Sequence, residues 1–312
     1  MKYSNTALQL LAAKECGLIK TNAQFWRDYP SIQMFETLIS TNNDILNFAE
    51  QLSQQYPLYD EDEGFICAYD EHFPVINQNA KNSDKPYLLF YKGDMSLLSD
   101  LNKNVAVIGL IDPTQEIEKR ETAVVEQLVK SDLIIVSGLA KGCDAIAHRV
   151  CLETGGKTIA ILPTTLHKIS PATNRGLANN IVANGGLLLT EYYKESLSKQ
   201  ETINRYIERD RLQAMFAKAI VLIASYRKGE GDSGSRHAME SAKNFEIPRY
   251  AMYNTTIDID DKQFGLNKDL LSLTSTNVKV LQLSSIQEIK STNIPVLEKN
   301  SPFFHSTQMT LF

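Results

Sequence analysis

From about residue 105 onward, short apolar runs alternate with longer stretches whose apolar residues recur at helical spacing. Six of these runs have the composition of buried strands: VAVIG (105–109), LIIVSG (133–138), TIAILP (158–163), LLLTEY (187–192), AIVLIAS (219–225) and PRYAMY (248–253). The helical stretches between them lie at about 114–130, 142–153, 173–184, 203–217 and 235–245. This alternation predicts an α/β fold with a doubly wound, Rossmann-like, mostly parallel sheet. Ligands of such sheets bind at the carboxyl ends of the strands, near helix N-termini.

The flanking residues have different patterns, which predict a division into three parts. Amphipathic helical patterns at the start predict a small N-terminal helical domain at 1–72, and 73–256 is the predicted Rossmann-like domain. Residues 257–312 are predicted to be a C-terminal extension with one helix near 284–291 and a flexible tail. The acidic run from Asp60 to Glu63 is expected to be a solvated loop, and Tyr87 to Tyr91 a short strand.

Charge and composition narrow the range of partners. The 312 residues carry a net charge of −5, so the protein is not basic all over. Residues 1–104 hold 8 Lys and Arg against 14 Asp and Glu, whereas residues 105–250 hold 19 against 17. An anionic polymer would therefore have to bind the middle segment through a local patch. No apolar run suits a membrane span, and four scattered cysteines favour a reducing, cytoplasmic protein without a metal site.

The turn after the second predicted strand is the first candidate binding element. Ser137, Gly138, Lys141 and Gly142 lie between this strand and the next helix, where glycines allow close approach and helix amides attract an anion. A tight turn without a ligand is the alternative. On that helix, Asp144 and His148 are four residues apart and form either an acid–base couple or, as the pattern favours, a capping and packing pair.

A second candidate anion cradle follows the fifth strand. Ser233, Gly234 and Ser235 stand in a loop rich in amides and hydroxyls, and Arg236 follows at the start of a helix. Acidic neighbours in this loop weaken that interpretation, and a mobile surface loop is the alternative.

Three arginines lie on the helix between the fourth and fifth strands: Arg205, Arg209 and Arg211. Guanidinium groups suit phosphate recognition, but a salt-bridged helix face with Glu208 and Asp210 is the alternative. The argument for binding is convergence on one predicted rim of the sheet. The cations that map to this rim are Lys141, Arg175, Arg205, Arg209, Arg211 and Arg236. One extended anionic ligand accounts for all of them.

The segment SGLAKGCDAIAH (137–148) resembles the S-G-x-A-x-G-x-D-x-x-A-H signature of the DNA processing protein A (Smf) family. Further landmarks follow in order. Two of them are whole segments, GGKTIAILPTTL (155–166) and GGLLLTEY (185–192), and the second contains Glu191. Asn174 and Leu177 match an N-x-x-L motif of the family. Arg209-Asp210-Arg211 stands where the family has R-N-R, and residues 232–235 stand where it has the S-G-S loop. The resemblance covers about residues 74–253.

The resemblance implies a non-catalytic, single-stranded DNA-binding protein without a cofactor, which forms homodimers. It also implies that the protein loads the RecA recombinase in natural transformation, with Gly109, Asp144, His148 and Glu191 shaping the site. One departure is the stretch after the first strand. The family has G-S-R there, whereas Gly109 is followed by Leu110, Ile111 and Asp112.

Two other functions remain open. The same rim fits a nucleotide-sensing or scaffolding module, for example in phage defence. A phosphoribohydrolase-like enzyme would use Glu240, although the surrounding motif departs from that group.

The end of the chain suggests a protein partner. Gln308-Met309-Thr310-Leu311-Phe312 resembles the pentapeptide that binds the DNA polymerase sliding clamp, with Gln308, Leu311 and Phe312 as anchors. A tail without a partner, or one that docks on its own protein, is the alternative.

Overall fold

The central element of the computed structural model is one nine-stranded sheet. The model describes residues 2–55, 61–231, 234–272 and 277–296. Within these residues the strands are β1 Glu63–Cys67, β2 Leu88–Gly93, β3 Asn104–Ile108, β4 Ile134–Ser137, β5 Thr158–Ile161, β6 Leu187–Thr190, β7 Ala219–Leu222, β8 Arg249–Ala251 and β9 Val278–Val280. Their order is β1-β2-β6-β5-β4-β3-β7-β8-β9.

The pairing confirms the predicted fold class. All neighbours from β6 to β9 pair in parallel, and only β1 with β2 and β2 with β6 are antiparallel. The chain leaves β3 toward β4, β5 and β6 on one side, and later returns to β7, β8 and β9 on the other. The topological switch point therefore lies at β3, where the connections diverge and a crevice opens at the strand ends.

Helices cover both faces of this sheet. In the described residues they are α1 Asn5–Glu15, α2 Asn22–Asp28, α3 Ile32–Ser40, α4 Asn43–Gln55, α5 Gln115–Lys130, α6 Cys143–Glu153, α7 Arg175–Ala183, α8 Lys199–Met215, α9 Ser235–Asn244, α10 Gly265–Ser272 and α11 Leu283–Ser291. Successive strand residues face opposite layers, as the two-residue period requires. Val105 and Val107 of β3 pack with α5 and α6, whereas Ala106 and Ile108 pack with α8 and α9.

The N-terminal helices share a third core with the antiparallel edge of the sheet. Leu10 and Phe25 are fully buried in the same cluster as Phe65 of β1 and Phe90 of β2. The expected solvated loop up to Glu63 is wrong at that residue. Glu63 begins β1 with 1% exposure, and its Oε1 lies 3.0 Å from Nε2 of His167.

The segment after residue 254 adds to the sheet. The predicted helix near 284–291 is confirmed as α11, but β9 was not predicted. This strand has only three residues and pairs in parallel with β8 at the sheet edge, so it has little hydrophobic signal. Among the described helices, none has both the length and the apolar character that crossing a membrane would require.

Candidate nucleic-acid interface

The turn between β4 and α6 is held tightly against the loop after β3. Gly142 has φ +71°, and a Cβ atom there would lie 2.2 Å from the carbonyl oxygen of Leu110. The amide of Cys143 donates to that same oxygen at 2.8 Å. A Cβ on Gly109 would meet the Cys143 sulfur at 2.6 Å. Gly142 is needed because its backbone touches the backbone of the loop after β3, and Gly109 is needed because the Cys143 side chain fills the space beside it.

Gly138 makes room for a guanidinium group. A Cβ on Gly138 would stand 1.4 Å from Nη1 of Arg209, so a side chain there would displace the guanidinium. Arg209 is 5% exposed, donates from Nη1 to the Ile161 carbonyl at 3.3 Å, and has Nη1 3.8 Å from Oδ2 of Asp144. The structure therefore brings Arg209 to the glycine turn, but its guanidinium lies beneath the turn and not on its surface.

Asp144 supplies an internal hydrogen-bond acceptor for this turn. Its Oδ2 accepts from the Ala140 amide at 3.3 Å, and the hydroxyl of Ser137 donates to the Val107 carbonyl at 2.6 Å. Burial raises the pKa of Asp144, and Arg209 opposes that rise. Within the described residues, the amides of Asp144 and Ala145 at the α6 N-terminus have no acceptor. These are the helix-start donors that attract an anion.

Asp210 is a second buried carboxyl beside the same arginine. Its Oδ1 lies 3.1 Å from Nε of Arg209 and accepts from Gln213 at 3.2 Å. A Cβ on Gly234 would lie 3.2 Å from its Oδ2, so the loop before α9 reaches this point. Burial raises the pKa of Asp210 to about 7, with Asp144 adding to the rise and Arg209 opposing it. The guanidinium of Arg209 thus lies beside two buried carboxyl groups, those of Asp144 and Asp210.

Replacing Asp210 by Asn is expected to stabilise the protein more at pH 8 than at pH 5. The folded-state pKa of about 7 exceeds the reference value of 3.8, so the folded state binds the proton more tightly than the unfolded state. Wild-type stability is therefore lost as pH rises from about 4 to about 7, by roughly 2 to 4 kcal/mol. Urea unfolding of both proteins at the two pH values measures this effect. If Asp210→Asn changes the free energy of unfolding equally at pH 5 and pH 8, the expectation is contradicted.

His148 is a structural residue. It is fully buried, and its Nδ1 lies 2.6 Å from the hydroxyl of Thr158, which itself donates to the Ile135 carbonyl. Nδ1 therefore carries the proton in that bond. Burial, with a contribution from Arg209, lowers the pKa of His148 to about 3. No hydrogen bond joins it to Asp144 in the described part of the chain, which favours the packing interpretation over an acid–base couple.

Arg205 and Arg211 are engaged within the protein. Arg211 forms a two-bond pair with Glu191, at 2.8 and 2.7 Å, and donates to the Asp84 carbonyl at 2.9 Å. Arg205 pairs with Glu201 at 2.6 Å and stacks on the Tyr192 ring at 4.2 Å. The α8 arginines therefore form ion pairs within the protein, as the salt-bridge alternative predicted. Arg205 and Arg211 pair with Glu201 and Glu191, however, and not with the expected Glu208 and Asp210.

Lys141 and Arg175 are the exposed cations at the turn. Both side chains are exposed, and neither has an ion-pair partner in the described residues. Asn174, immediately before Arg175, donates from Nδ2 to the carbonyls of Leu139 and Ala140 at 2.9 and 3.0 Å. This clamp holds the start of α7 beside the turn that carries Lys141. The sequence identified Asn174 as part of the N-x-x-L motif, but only the structure shows its hydrogen bonds to the turn after β4.

The loop before α9 contributes a third cation. Arg236 is half-buried at the start of α9, and Ser235 donates to the Gly109 carbonyl at 3.3 Å. Gly234 has φ +84°. Ser233, and the anchors Gln308, Leu311 and Phe312, lie outside the described residues.

Tyr206 is the aromatic side chain beside Arg209. Its side chain is half-buried, and its hydroxyl lies 3.1 Å from the hydroxyl of Ser170. The centre of its ring lies 5.8 Å from the Arg209 guanidinium. Tyr193 instead packs on Phe90 at 5.4 Å.

A doubly wound sheet with glycine turns at its switch point defines the class of Rossmann-like α/β proteins. Within this class, the sequence profile described as DNA recombination-mediator protein A matches residues 64–271, and the chain belongs to that family.

Similar proteins agree with this membership. The DNA processing protein DprA of Streptococcus pneumoniae is 34% identical over 166 residues, which is 53% of this chain and 56% of that protein. Protein Smf of Synechocystis is 31% identical over 221 residues, 69% of this chain and 52% of that protein. The chain thus spans about half the length of these curated relatives.

Two solved structures share the fold. The X-ray structure of DprA from Streptococcus pneumoniae has a TM-score of 0.62 at 23% identity, covering 92% of this chain and 97% of that one. DNA processing protein A from Helicobacter pylori, a structure described for its single-stranded DNA binding mode, has a TM-score of 0.59 at 24% identity. It covers 72% of this chain and 95% of that one.

Proposed function

We propose that this protein binds single-stranded DNA along the surface formed by Lys141, Arg175 and Arg236 at the strand ends. One observation carries the proposal: Asn174 clamps the start of α7 to the glycine turn, so that Lys141 and Arg175 lie on adjoining, exposed segments. The unpaired amides of Asp144 and Ala145 add donors beside Lys141. Contacts with phosphates alone are blind to sequence, which suits a protein that accepts any strand.

In this proposal the buried groups support the site and do not touch DNA. Arg209 holds the turn from beneath through Asp144, and the pair of Arg211 with Glu191 fixes α8. Tyr206 is the ring best placed to stack on an unpaired base, since it is half-buried next to Arg209. We assign no catalytic step, because Asp144 is 7% exposed and His148 is fully buried, so neither side chain is open to a substrate.

Family membership supports a role in DNA uptake and recombination in the cytoplasm. There the protein would act as a homodimer and load the RecA recombinase during natural transformation. The sliding clamp would bind the terminal pentapeptide. Purified RecA and purified clamp, each tested for binding to wild type and to a chain lacking residues 308–312, separate these partners, since only the clamp should depend on the pentapeptide.

Titration with a labelled oligo-dT, competed by unlabelled nucleotides, tests the proposed ligand. We expect binding of oligo-dT that unlabelled oligo-dT displaces and that mononucleotides do not displace at equal phosphate concentration. Tight binding of a mononucleotide, without binding of oligo-dT, would favour a nucleotide-sensing module. Release of free base from a nucleoside monophosphate, abolished by Glu240→Gln, would favour an enzyme.

A further inference from the structure

Two isoleucines in the N-terminal half of α8 are exposed although their side chains are large and apolar. Ile203 is 46% exposed and Ile207 is 42% exposed, and their spacing of four residues places them on one face of the helix. Tyr206 follows Ile203 by three residues and lies on the same face. We call these three side chains the α8 strip. Single exposed apolar side chains are ordinary, whereas contiguous ones mark binding surfaces.

The α8 strip lies beyond the ends of the strands. Nη1 of Arg209 donates to the carbonyl of Ile161, the last residue of β5, so Arg209 marks the level at which the strands end. Ile207 and Ile203 precede Arg209 by two and six residues, which places them about 3 and 9 Å away along the helix axis. Because α8 runs from the carboxyl end of β6 back toward the start of β7, they lie on the side of the sheet that carries Lys141.

The α8 strip adjoins the loop after β5. The hydroxyl of Tyr206 lies 3.1 Å from the hydroxyl of Ser170 in that loop. The loop continues to Asn174, which holds the start of α7 to the glycine turn through hydrogen bonds at 2.9 and 3.0 Å. The strip is therefore continuous with the surface that carries Lys141 and Arg175.

The loop before α9 is a second neighbour of the α8 strip. Asp210 follows Ile207 by three residues and lies on the same face of α8. A Cβ on Gly234 would lie 3.2 Å from Oδ2 of Asp210, so this loop meets the helix one turn farther along that face. Arg236 follows Gly234 at the start of α9. The strip thus adjoins both segments that carry the proposed phosphate-binding cations.

The charges on α8 suit an anionic strand at this face. The helix, which the structure describes in full, has three acidic residues. Glu201 and Glu208 lie about 140 to 160° around the helix from Ile203, and Asp210 is 7% exposed. Lys199 precedes Ile203 by four residues, is exposed, and has no ion-pair partner in the described part of the chain. No exposed carboxylate of α8 therefore stands beside the strip.

We propose that the α8 strip holds the unpaired bases of the strand while Lys141, Arg175 and Arg236 bind its phosphates. Every nucleobase has a face that packs on apolar and aromatic side chains, so contacts of this kind accept any sequence. In a single strand the bases are free to turn away from the phosphates toward such a surface. The inference rests on the proposed function, because one strand occupies both surfaces.

An oligonucleotide without bases tests the proposal. Wild type should bind oligo-dT at least about tenfold more tightly than an abasic oligonucleotide of equal length, because only oligo-dT has bases that reach the strip. Ile203→Ser/Ile207→Ser should lower the affinity for oligo-dT about tenfold and that for the abasic strand less than about twofold. Serine has about the helix propensity of isoleucine, and both side chains are exposed, so the variant should fold. Fluorescence anisotropy with each labelled strand measures these affinities.

The matched control is Met34→Ser/Leu46→Ser, which removes two apolar side chains of 46% and 45% exposure on α3 and α4. It should leave both affinities unchanged. Equal affinity of wild type for the two strands would overturn the proposal, as would equal losses of oligo-dT affinity in the two double variants. In either case binding through phosphates would stand. Failure of both strands to bind would instead overturn the proposed function, and this inference with it.

Sedimentation of the same variants distinguishes a base from a second copy of the chain as the occupant of the α8 strip. We expect Ile203→Ser/Ile207→Ser to keep the mass that wild type has in solution while it loses affinity for oligo-dT. A lower mass with unchanged oligo-dT affinity would show that the strip joins two copies, and would overturn the proposal.

Discussion

Reversing the charge of Lys141 and Arg175 together, as Lys141→Glu/Arg175→Glu, is expected to weaken oligo-dT binding by at least about 100-fold at low salt. A hydrogen bond to a charged group contributes about 1.5 kcal/mol, roughly tenfold in affinity for each contact. Reversal adds repulsion to that loss. Both side chains are exposed and unpaired in the described residues, so the free energy of unfolding should change little. Fluorescence anisotropy with labelled oligo-dT measures the effect.

The matched control makes the same change of charge at the opposite edge of the sheet. Lys103 and Lys157 are exposed and immediately precede β3 and β5, at the amino ends of these strands. Lys103→Glu/Lys157→Glu should lower affinity by no more than about threefold, since its effect is only long-range and screened by salt. If both double variants lose affinity equally, net charge accounts for binding and the surface at Lys141 does not.

Replacing Gly142 by Ala is expected to lower the free energy of unfolding by at least about 3 kcal/mol. Its backbone has φ 71° and ψ −130°, a conformation that residues with a Cβ rarely adopt. The added Cβ would also lie 2.2 Å from the Leu110 carbonyl oxygen, which cannot move without breaking its bond to Cys143. Urea unfolding measures the loss, and oligo-dT binding should fall with it because the turn carries Lys141.

The variant Gly155→Ala separates the backbone strain at a positive φ from the clash with a neighbouring loop, the two reasons why Gly142→Ala should lower the free energy of unfolding. Gly155 has φ +81°, and a Cβ there would have no atom within 4 Å. Only the backbone cost remains, about 1 to 2 kcal/mol for a left-handed residue. If Gly142→Ala costs no more than Gly155→Ala, then the loops after β3 and β4 do not touch as described.

The sequence identified the sheet more completely than the site. Apolar runs such as VAVIG at 105–109 predict buried strands because a parallel sheet buries both faces. β1 was missed because its first residue, Glu63, ends an acidic run, and only the fold supplies His167 as its partner. A contact with a residue about a hundred positions away leaves no local pattern.

The positions of the α8 arginines on the helix were readable, but the direction of their guanidinium groups was not. Asp210 does pair with Arg209, as the salt-bridge alternative suggested. Arg211, however, pairs with Glu191, which the helix pattern could not indicate because it lies 20 residues earlier in the sequence. Glu208 instead accepts a hydrogen bond from the Tyr192 hydroxyl. Helical spacing shows which residues share a face, but tertiary contacts decide which charges remain exposed.

The salt dependence of oligo-dT affinity tests the central claim most directly. The slope of log affinity against log salt concentration reports the number of phosphates neutralised, at about 0.7 for each contact on a single strand. We predict that Lys141→Glu/Arg175→Glu makes this slope shallower by about 1.4 relative to wild type, and that Lys103→Glu/Lys157→Glu leaves it unchanged. An identical slope in wild type and Lys141→Glu/Arg175→Glu would contradict DNA binding at this surface.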